Sequence, residues 1–520
     1  VIVAVLFMVL VIDGTRRTMG MVLPLIAIVF LLYTVFGHYL PGGLYHRYIK
    51  LINIIDQCMF TTNGIFTSPI ACSSTYVFLF CLFGAFFTVS GAGDFFYKFS
   101  MAVAGQYTGG AGKVAVVASG LFGMINGSAI ANVVSTGTLT IPLMKNVGYK
   151  PEEAGAIEAV ASTGGQIMPP IMGAAAFIMA QTLAIPYMSI AKAAIIPALL
   201  YFFMIFISVD LMAVKNGLKG IPASELPSWK KIMKEGWFLL IPILALLYML
   251  IVMSLTASKA ALYAIGLSIV VSWFSKDKKM KIKEIGMALV SASKEICSVA
   301  LACATAGIVI GMLGLTGLGL KLSSVLLAMS GGHLMILLVF TAIAGIILGM
   351  GLPTSGVYIV LSVLAAPALI QLGVSAIAAH MFVFYFGVIA AITPPVALAS
   401  YAGAGIAKAD AAKTGWTAVK IGLSGFLLPF MFVLNPPILM IGTAGEIIRT
   451  CITSTIAIVA LCMGLNGEPC KGIVPRALMC ISSLLLLDGG LATDLVGVAA
   501  VIAAFAIEKL TTRKSTEVAP

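Results

Sequence analysis

Residues 162–170, STGGQIMPP, place hydroxyls, two glycines, a glutamine amide and two prolines inside an otherwise apolar stretch. Proline carries no N–H and disrupts the hydrogen bonds of the turn before it. Pro169 and Pro170 are therefore expected to free the carbonyls near Gly164, Gly165, Gln166 and Ile167. Freed carbonyl oxygens suit a hard cation such as Na⁺, and the half-helix that restarts after a break presents partial positive charge to an anion. Three further clusters have the same character. NGSAIAN offers Asn126, Ser128 and Asn132, with Gly127 permitting a tight turn. GLPTSG offers Thr354 and Ser355 beside Gly351 and Pro353, and ITPP offers Thr393 before Pro394 and Pro395. The expectation is two sodium sites, one per half of the chain. The first is drawn from Asn126, Gly127, Ser128, Asn132, Thr163, Gly164, Gly165 and Gln166, the second from Gly351, Pro353, Thr354, Ser355 and Thr393. Substrate is expected between them, at Ser128, Gln166, Thr354 and Ser355.

What must position these groups is set by composition. Hydrophobic residues make up 61% of the chain and charged residues 10%, with a mean hydropathy of +1.11. Soluble domains carry about 25% charged residues, so this is an all-α polytopic membrane protein. The net charge of +12 does not call for nucleic acid. The lysines gather in short loops such as KDKKMKIKE, as loops on the cytoplasmic side do. Nine cysteines are scattered through apolar spans without CxxC or zinc-type spacing and read as small buried hydrophobes.

Apolar runs predict helices at 1–12 and 21–36, with Arg16 and Arg17 inside, and an interfacial helix at 45–60. A span at 69–89 and a short helix at 94–104 lead to a hairpin at 112–146 and a broken helix at 151–184. After a span at 189–209 and two short spans in 216–284, the pattern recurs. It gives a span at 285–313, a short helix at 318–328, a hairpin at 333–371, a broken helix at 376–407 and a span at 412–434. Three helices close the chain within 436–520, with the tail on the cytoplasmic side. The organisation read from this is a scaffold remnant (1–62), a first repeat (63–215), a linker (216–284), a second repeat (285–435) and a C-terminal extension (436–520). Val1 opens inside an apolar run, which reads as a fragment lacking upstream helices or as a processed product.

The recurrence is an internal repeat. Pro169-Pro170 and Pro394-Pro395 lie 225 residues apart, as do Pro142 and Pro367; SGAG and TGLG, and the two GM pairs, lie 226 apart. By the loop charges the first copy enters from outside and the second from inside. Inverted repeats with broken helices in matching positions are the mark of a secondary transporter. Small residues also serve close helix packing, and Gly307 and Gly311 are read that way. No arginine lies between Arg47 and Arg449, so an anion would be held by helix ends, hydroxyls and amides. Glu158 lies deep in the first broken helix and is a candidate for a functional role. Glu152 and Glu153 read as interfacial, and Asp94, Asp410, His333 and His380 as near the interfaces. No HExxH or DDxxD-like run supports an enzyme.

The blocks GLFGMINGSAIANVVSTGTLTIPLMKNVGYKPEEAGAIEAVASTGGQIMPPIMGAAAFIMA and GMGLPTSGVYIVLSVLAAPAL, with FYFGVIAAITPPVALASYAGAGIAKAD, resemble the large membrane subunit of tripartite ATP-independent periplasmic (TRAP) transporters. More narrowly, the chain resembles the fused small-plus-large permease of the type paired with TAXI binding proteins, over roughly residues 1–435. That resemblance implies an elevator-type transporter with two re-entrant helical hairpins and two broken helices. It implies import driven by a sodium gradient, with Na⁺ as coupling ion and no other cofactor. It also implies delivery of a dicarboxylate, keto acid or glutamate-like anion by an extracytoplasmic TAXI-type binding protein. The setting would be the inner membrane of a bacterium or archaeon, with the oligomeric state open, monomer included. The alternative is a divalent-anion/sodium symporter that works without a binding protein.

Overall fold

In a computed structural model, residues 1–275 and 279–517 are described, with side-chain surroundings as far as Leu510. Among them every regular element is helical, and eight helices are long and apolar enough to cross a membrane. The first helix runs Ile2–Met19 and takes in both arginines that were expected in a loop. Asp13 explains the difference, because Arg16 and Arg17 each bond it at 2.7 Å one turn away. Gly20, at a positive φ of 85° that favours glycine, ends the helix. Of the expected 45–60 helix only Leu51–Met59 forms.

Each half then unfolds through the same series. In the first, Ser68–Val89 leads to a short helix Ala92–Ala104. A hairpin of Gly110–Asn126 and Ala129–Asn146 follows, then a helix broken between Pro151–Gly165 and Ala174–Thr182, then the span Tyr187–Lys215. In the second, Ile282–Thr316 leads to Leu318–Met329, and a hairpin of Leu334–Gly349 and Thr354–Leu364 continues through Ala366–Gln371. Its broken helix comprises Ala376–Ile389 and Leu398–Ala407, followed by Ala411–Leu434. The turns match as well. Gly91 and Gly317 precede the short helices at φ 91° and 66°, and Gly148 and Gly373 follow the hairpins at φ 104° and 89°. These positive φ values explain why glycine sits at each of these joints.

Between the halves, Trp229–Ile251 and Ala257–Ser272 form an antiparallel pair; much of the Lys-rich loop after it, 276–278, lies outside the described residues. Ala444–Asn466, Ile473–Leu485 and Leu491–Glu517 form the C-terminal group, of which the first packs on Tyr187–Lys215.

The two halves are packed into one another. The half-helix Pro151–Gly165 lies against Leu398–Ala407. Their backbones meet at Gly155 and Gly403, where a Cβ on Gly155 would stand 3.0 Å from Gly403 C. Lys145 Nζ donates to Ala407 O at 2.9 Å across the same junction. Ile2–Met19 packs on Ile282–Thr316, joined by a 2.7 Å hydrogen bond between the buried hydroxyls of Thr15 and Thr305, and Ile282–Thr316 also packs on the second hairpin arm Thr354–Leu364.

Candidate transport cavity

The first hairpin turns at Gly127, whose φ of 68° and closeness to Met172 O (2.7 Å from a built Cβ) both exclude a side chain. Ser128 then caps the second arm, its hydroxyl accepting from Ala131 N at 3.4 Å. The tip is thus seated on the first break, with Gly173 facing Gly127 O. The second hairpin turns through Gly351, Leu352 and Pro353, and its second arm starts at Thr354. The two tips meet. Thr354 Oγ1 donates to Gln166 Oε1 at 2.8 Å, across a sequence separation of 188.

A cavity of about 460 Å³ opens over this junction. Asn126, Gly127, Ser128 and Gln166 line it from the first half, and Gly351, Pro353, Thr354 and Ser355 from the second. A smaller one of about 100 Å³ lies between the tips, bounded by Ser128, Gln166, Pro353, Thr354 and Gly387. The lining of the larger cavity also includes Thr18 and Met19 of the first helix and Glu295, Ser298 and Val299 of Ile282–Thr316. The four residues expected at the substrate, Ser128, Gln166, Thr354 and Ser355, are brought together on its lining.

The remaining expected site residues line neither cavity. Asn132 is buried, donating to Ser119 O at 2.8 Å. Thr163 Oγ1 returns its proton to Ala159 O (2.7 Å), and Thr393 Oγ1 does the same with Ile389 O (2.9 Å). Gly164 faces the Tyr201 ring, 2.5 Å from a built Cβ, and Gly165 faces Gly123 Cα at 2.5 Å. Both glycines therefore allow close approach of neighbouring helices.

The break also disposes of its carbonyls differently from expectation. Those of Thr163, Gly164 and Gly165 each accept a bond from the N–H three residues on, at 3.1–3.3 Å, and Gln166 O accepts from Gly173 N at 2.9 Å. A carbonyl has two lone pairs, so one remains on each. Pro169-Pro170 and Pro394-Pro395 are both cis. Tyrosines, which sequence reasoning missed, serve both breaks. Tyr187 OH donates to Pro170 O (2.8 Å) and approaches Ile171 O, and Tyr401 OH donates to Pro395 O.

Glu158 lies off the cavity, fully buried, with four hydroxyls around it. Ser119 (2.6 Å), Thr136 (2.5 Å) and Ser162 (3.0 Å) donate to Oε1, and Thr140 (2.6 Å) donates to Oε2. This cluster ties both arms of the first hairpin to the first broken helix. His380 is buried, 2.8 Å from Tyr358 OH, because Ala376–Ile389 is enclosed by its neighbours. Lys113 is buried too; it pairs with Asp210 at 2.5 Å and lies 4.7 Å from the Phe206 ring. The residue that sequence reasoning passed over is Glu295. Its signal is an acid well inside a span of 35 residues.

With this geometry in hand, comparison with known proteins identifies the fold's family. A family model of the tripartite ATP-independent periplasmic transporter DctM component matches residues 4–447. The chain belongs to that family. It is a family of transporter permeases, not of enzymes. Relatives include the C4-dicarboxylate TRAP transporter large permease protein DctM of Vibrio cholerae, 28% identical over 32% of this chain and 37% of that protein. The sialic acid TRAP transporter permease protein SiaT of Haemophilus influenzae is 24% identical over 68% of this chain and 56% of its own length. The DctM of Pseudomonas aeruginosa is 25% identical over 61% of this chain and 74% of that protein. The match thus spans about a third to a half of the first two relatives.

Proposed function

We propose that this chain is the membrane carrier of a sodium-coupled importer of a small organic anion, supplied by an extracytoplasmic binding protein of the TAXI type. The observation that carries the reading is the cavity of about 460 Å³ lined by both hairpin tips and the first break. Its lining offers an amide, hydroxyls and the starts of two helices, Ala129–Asn146 and Thr354–Leu364. Helix starts favour negative charge, which supports an anionic substrate such as a dicarboxylate, keto acid or glutamate-like acid. Relatives are named as C4-dicarboxylate and sialic acid permeases, and those acids are of the same chemical kind. Sodium would take oxygens from Asn126, Ser128 and the remaining carbonyl lone pairs of the first break, and from Thr354 and Ser355 of the second tip.

The hairpins and breaks would move as one body. The Gly155–Gly403 contact and the bonds Lys145–Ala407 and Thr354–Gln166 join the halves, which supports an elevator stroke against the unit of Ile2–Met19 and Ile282–Thr316. The setting would be the cytoplasmic membrane of a bacterium or archaeon, with the C-terminus inside.

Uptake into proteoliposomes tests this. With binding protein and an inward sodium gradient, labelled substrate accumulates; Ser128→Ala and Thr354→Ala raise the sodium concentration for half-maximal uptake. Unchanged sodium dependence in both variants removes these residues from the ion sites. Robust uptake by the permease alone favours a stand-alone symporter.

A further inference from the structure

Glu295 is the charged side chain on the described lining of the large cavity, and no lysine, arginine or histidine shares that lining. It projects from Ile282–Thr316 on one face with Ser298 and Val299, three and four residues on, as a helical face requires. Among the described residues no hydrogen bond or ion pair reaches its carboxylate. The nearby cations are engaged elsewhere. Arg16 and Arg17 both bond Asp13, and Lys294 is exposed over a separate surface depression with Lys283 and Ser291. A partly enclosed carboxylate without a partner at membrane depth is costly unless a cation meets it. The same lining carries the polar, anion-favouring groups of Ser128, Gln166 and Thr354. The cavity therefore combines one carboxylate with groups suited to negative charge.

From this mixed lining we infer that Glu295 binds a cationic nitrogen on the substrate, so that the transported acid carries an ammonium group as well as a carboxylate. The inference rests on the cavity being the transport site. An ammonium fits Glu295 better than a bare metal ion does. A metal cation needs several oxygen ligands, whereas the wall around Glu295 adds only Ser298 and Thr18 to apolar Met19, Phe80, Cys81 and Val299. An ammonium needs few partners, and a charge-assisted bond to a carboxylate is among the stronger polar contacts.

The test is calorimetric binding to the purified permease of acids matched in pairs: L-glutamate with glutarate, L-aspartate with succinate, L-alanine with propionate. At least one amino member is expected to bind about tenfold or more tighter than its partner, the scale of one charge-assisted bond. Glu295→Gln, which keeps the side chain's shape, should bring that ratio close to one; Glu295→Asp should retain part of it, and Lys294→Gln all of it. A second readout is the rate of labelling of Ser298→Cys by ammonium-bearing against sulfonate-bearing thiosulfonates; the preference for the cationic reagent should fall when Glu295→Gln is added. The inference is overturned if no amino member binds better than its partner, or if the ratio survives Glu295→Gln. It is also overturned if Glu295→Gln weakens both members equally and abolishes their sodium dependence, which would make Glu295 a metal-ion ligand. Ser128→Ala and Thr354→Ala separate this from the reading beneath it. If they leave both members unaffected while the ratio still follows Glu295, the tips are not the transport site and the ammonium contact stands.

Discussion

The two halves share a backbone plan and differ in what holds it together. In the first, the hairpin is fixed to its broken helix by Glu158 and four hydroxyls. At the repeat offsets, Ser119 becomes Gly345, Glu158 becomes Val383 and Ser162 becomes Gly387. In the second half a Tyr358–His380 bond joins hairpin to broken helix, and the broken helix packs on the following span through Phe382, Phe386 and Phe430 at centroid distances of 4.9–5.9 Å. The closest helix approach follows the same pattern. Gly123 meets Gly165 in the first half, while their counterparts Gly349 and Ala390 carry one methyl between them. At the tips Ser128 corresponds to Thr354, yet Gln166 corresponds to Ala391. The cavity's side-chain amides thus come from the first half, Asn126 and Gln166. A repeat can preserve a fold through backbone geometry alone, leaving the polar chemistry free to diverge between copies.

The largest effect that separates the halves is expected at Glu158. Glu158→Ala removes the acceptor of four buried hydroxyls and should cost about 3 kcal/mol or more, with Glu158→Gln retaining part of the stability. Tyr358→Phe should cost about 1 kcal/mol. Unfolding of the purified variants checks this, and equal losses in the two halves would erase the contrast. Next, Gly165→Ala forces a methyl to within 2.5 Å of Gly123 Cα and should cost about 1–3 kcal/mol. The converse change, Ala390→Gly, should cost under about 1 kcal/mol. If Ala390→Gly proves the more damaging of the two, the closeness assigned to the first half is wrong. Smaller still is the coupling across the tips. A double-mutant cycle of Gln166→Ala and Thr354→Ala in substrate affinity should return about 1 kcal/mol. Thr393→Ala, off the cavity, should shift the same affinity by less than about 0.5 kcal/mol.

Much of the plan was legible in the chain. The runs of apolar residues located the spans, and the prolyl pairs and tip motifs located both breaks and both hairpins to within a few residues. Arg16 and Arg17 were placed in a loop because charge was taken as its signal; the local bonds of Asp13 let the helix continue past them. Side-chain destinations were harder to read. Thr163, Gly164 and Gly165 sit in the same motif as Gln166, but only Gln166 reaches the cavity. A helix turns about 100° per residue, so neighbours in sequence face different partners, and which face meets the cavity depends on helices far away in the chain.

By itself, then, the sequence determined that this is a helical membrane protein made of two related halves, each with a hairpin and a break. Those features are local: hydropathy sets where helices run, and proline and glycine set where they stop. Only the tertiary structure decided that the tips meet through Thr354 and Gln166, that Glu158 closes on Ser119 rather than on the cavity, and that Glu295 lines the same cavity as the tips. The physical reason is that these contacts join residues 39 to 188 positions apart or bring distant helices to one cavity. No local pattern encodes which distant helix will supply the partner.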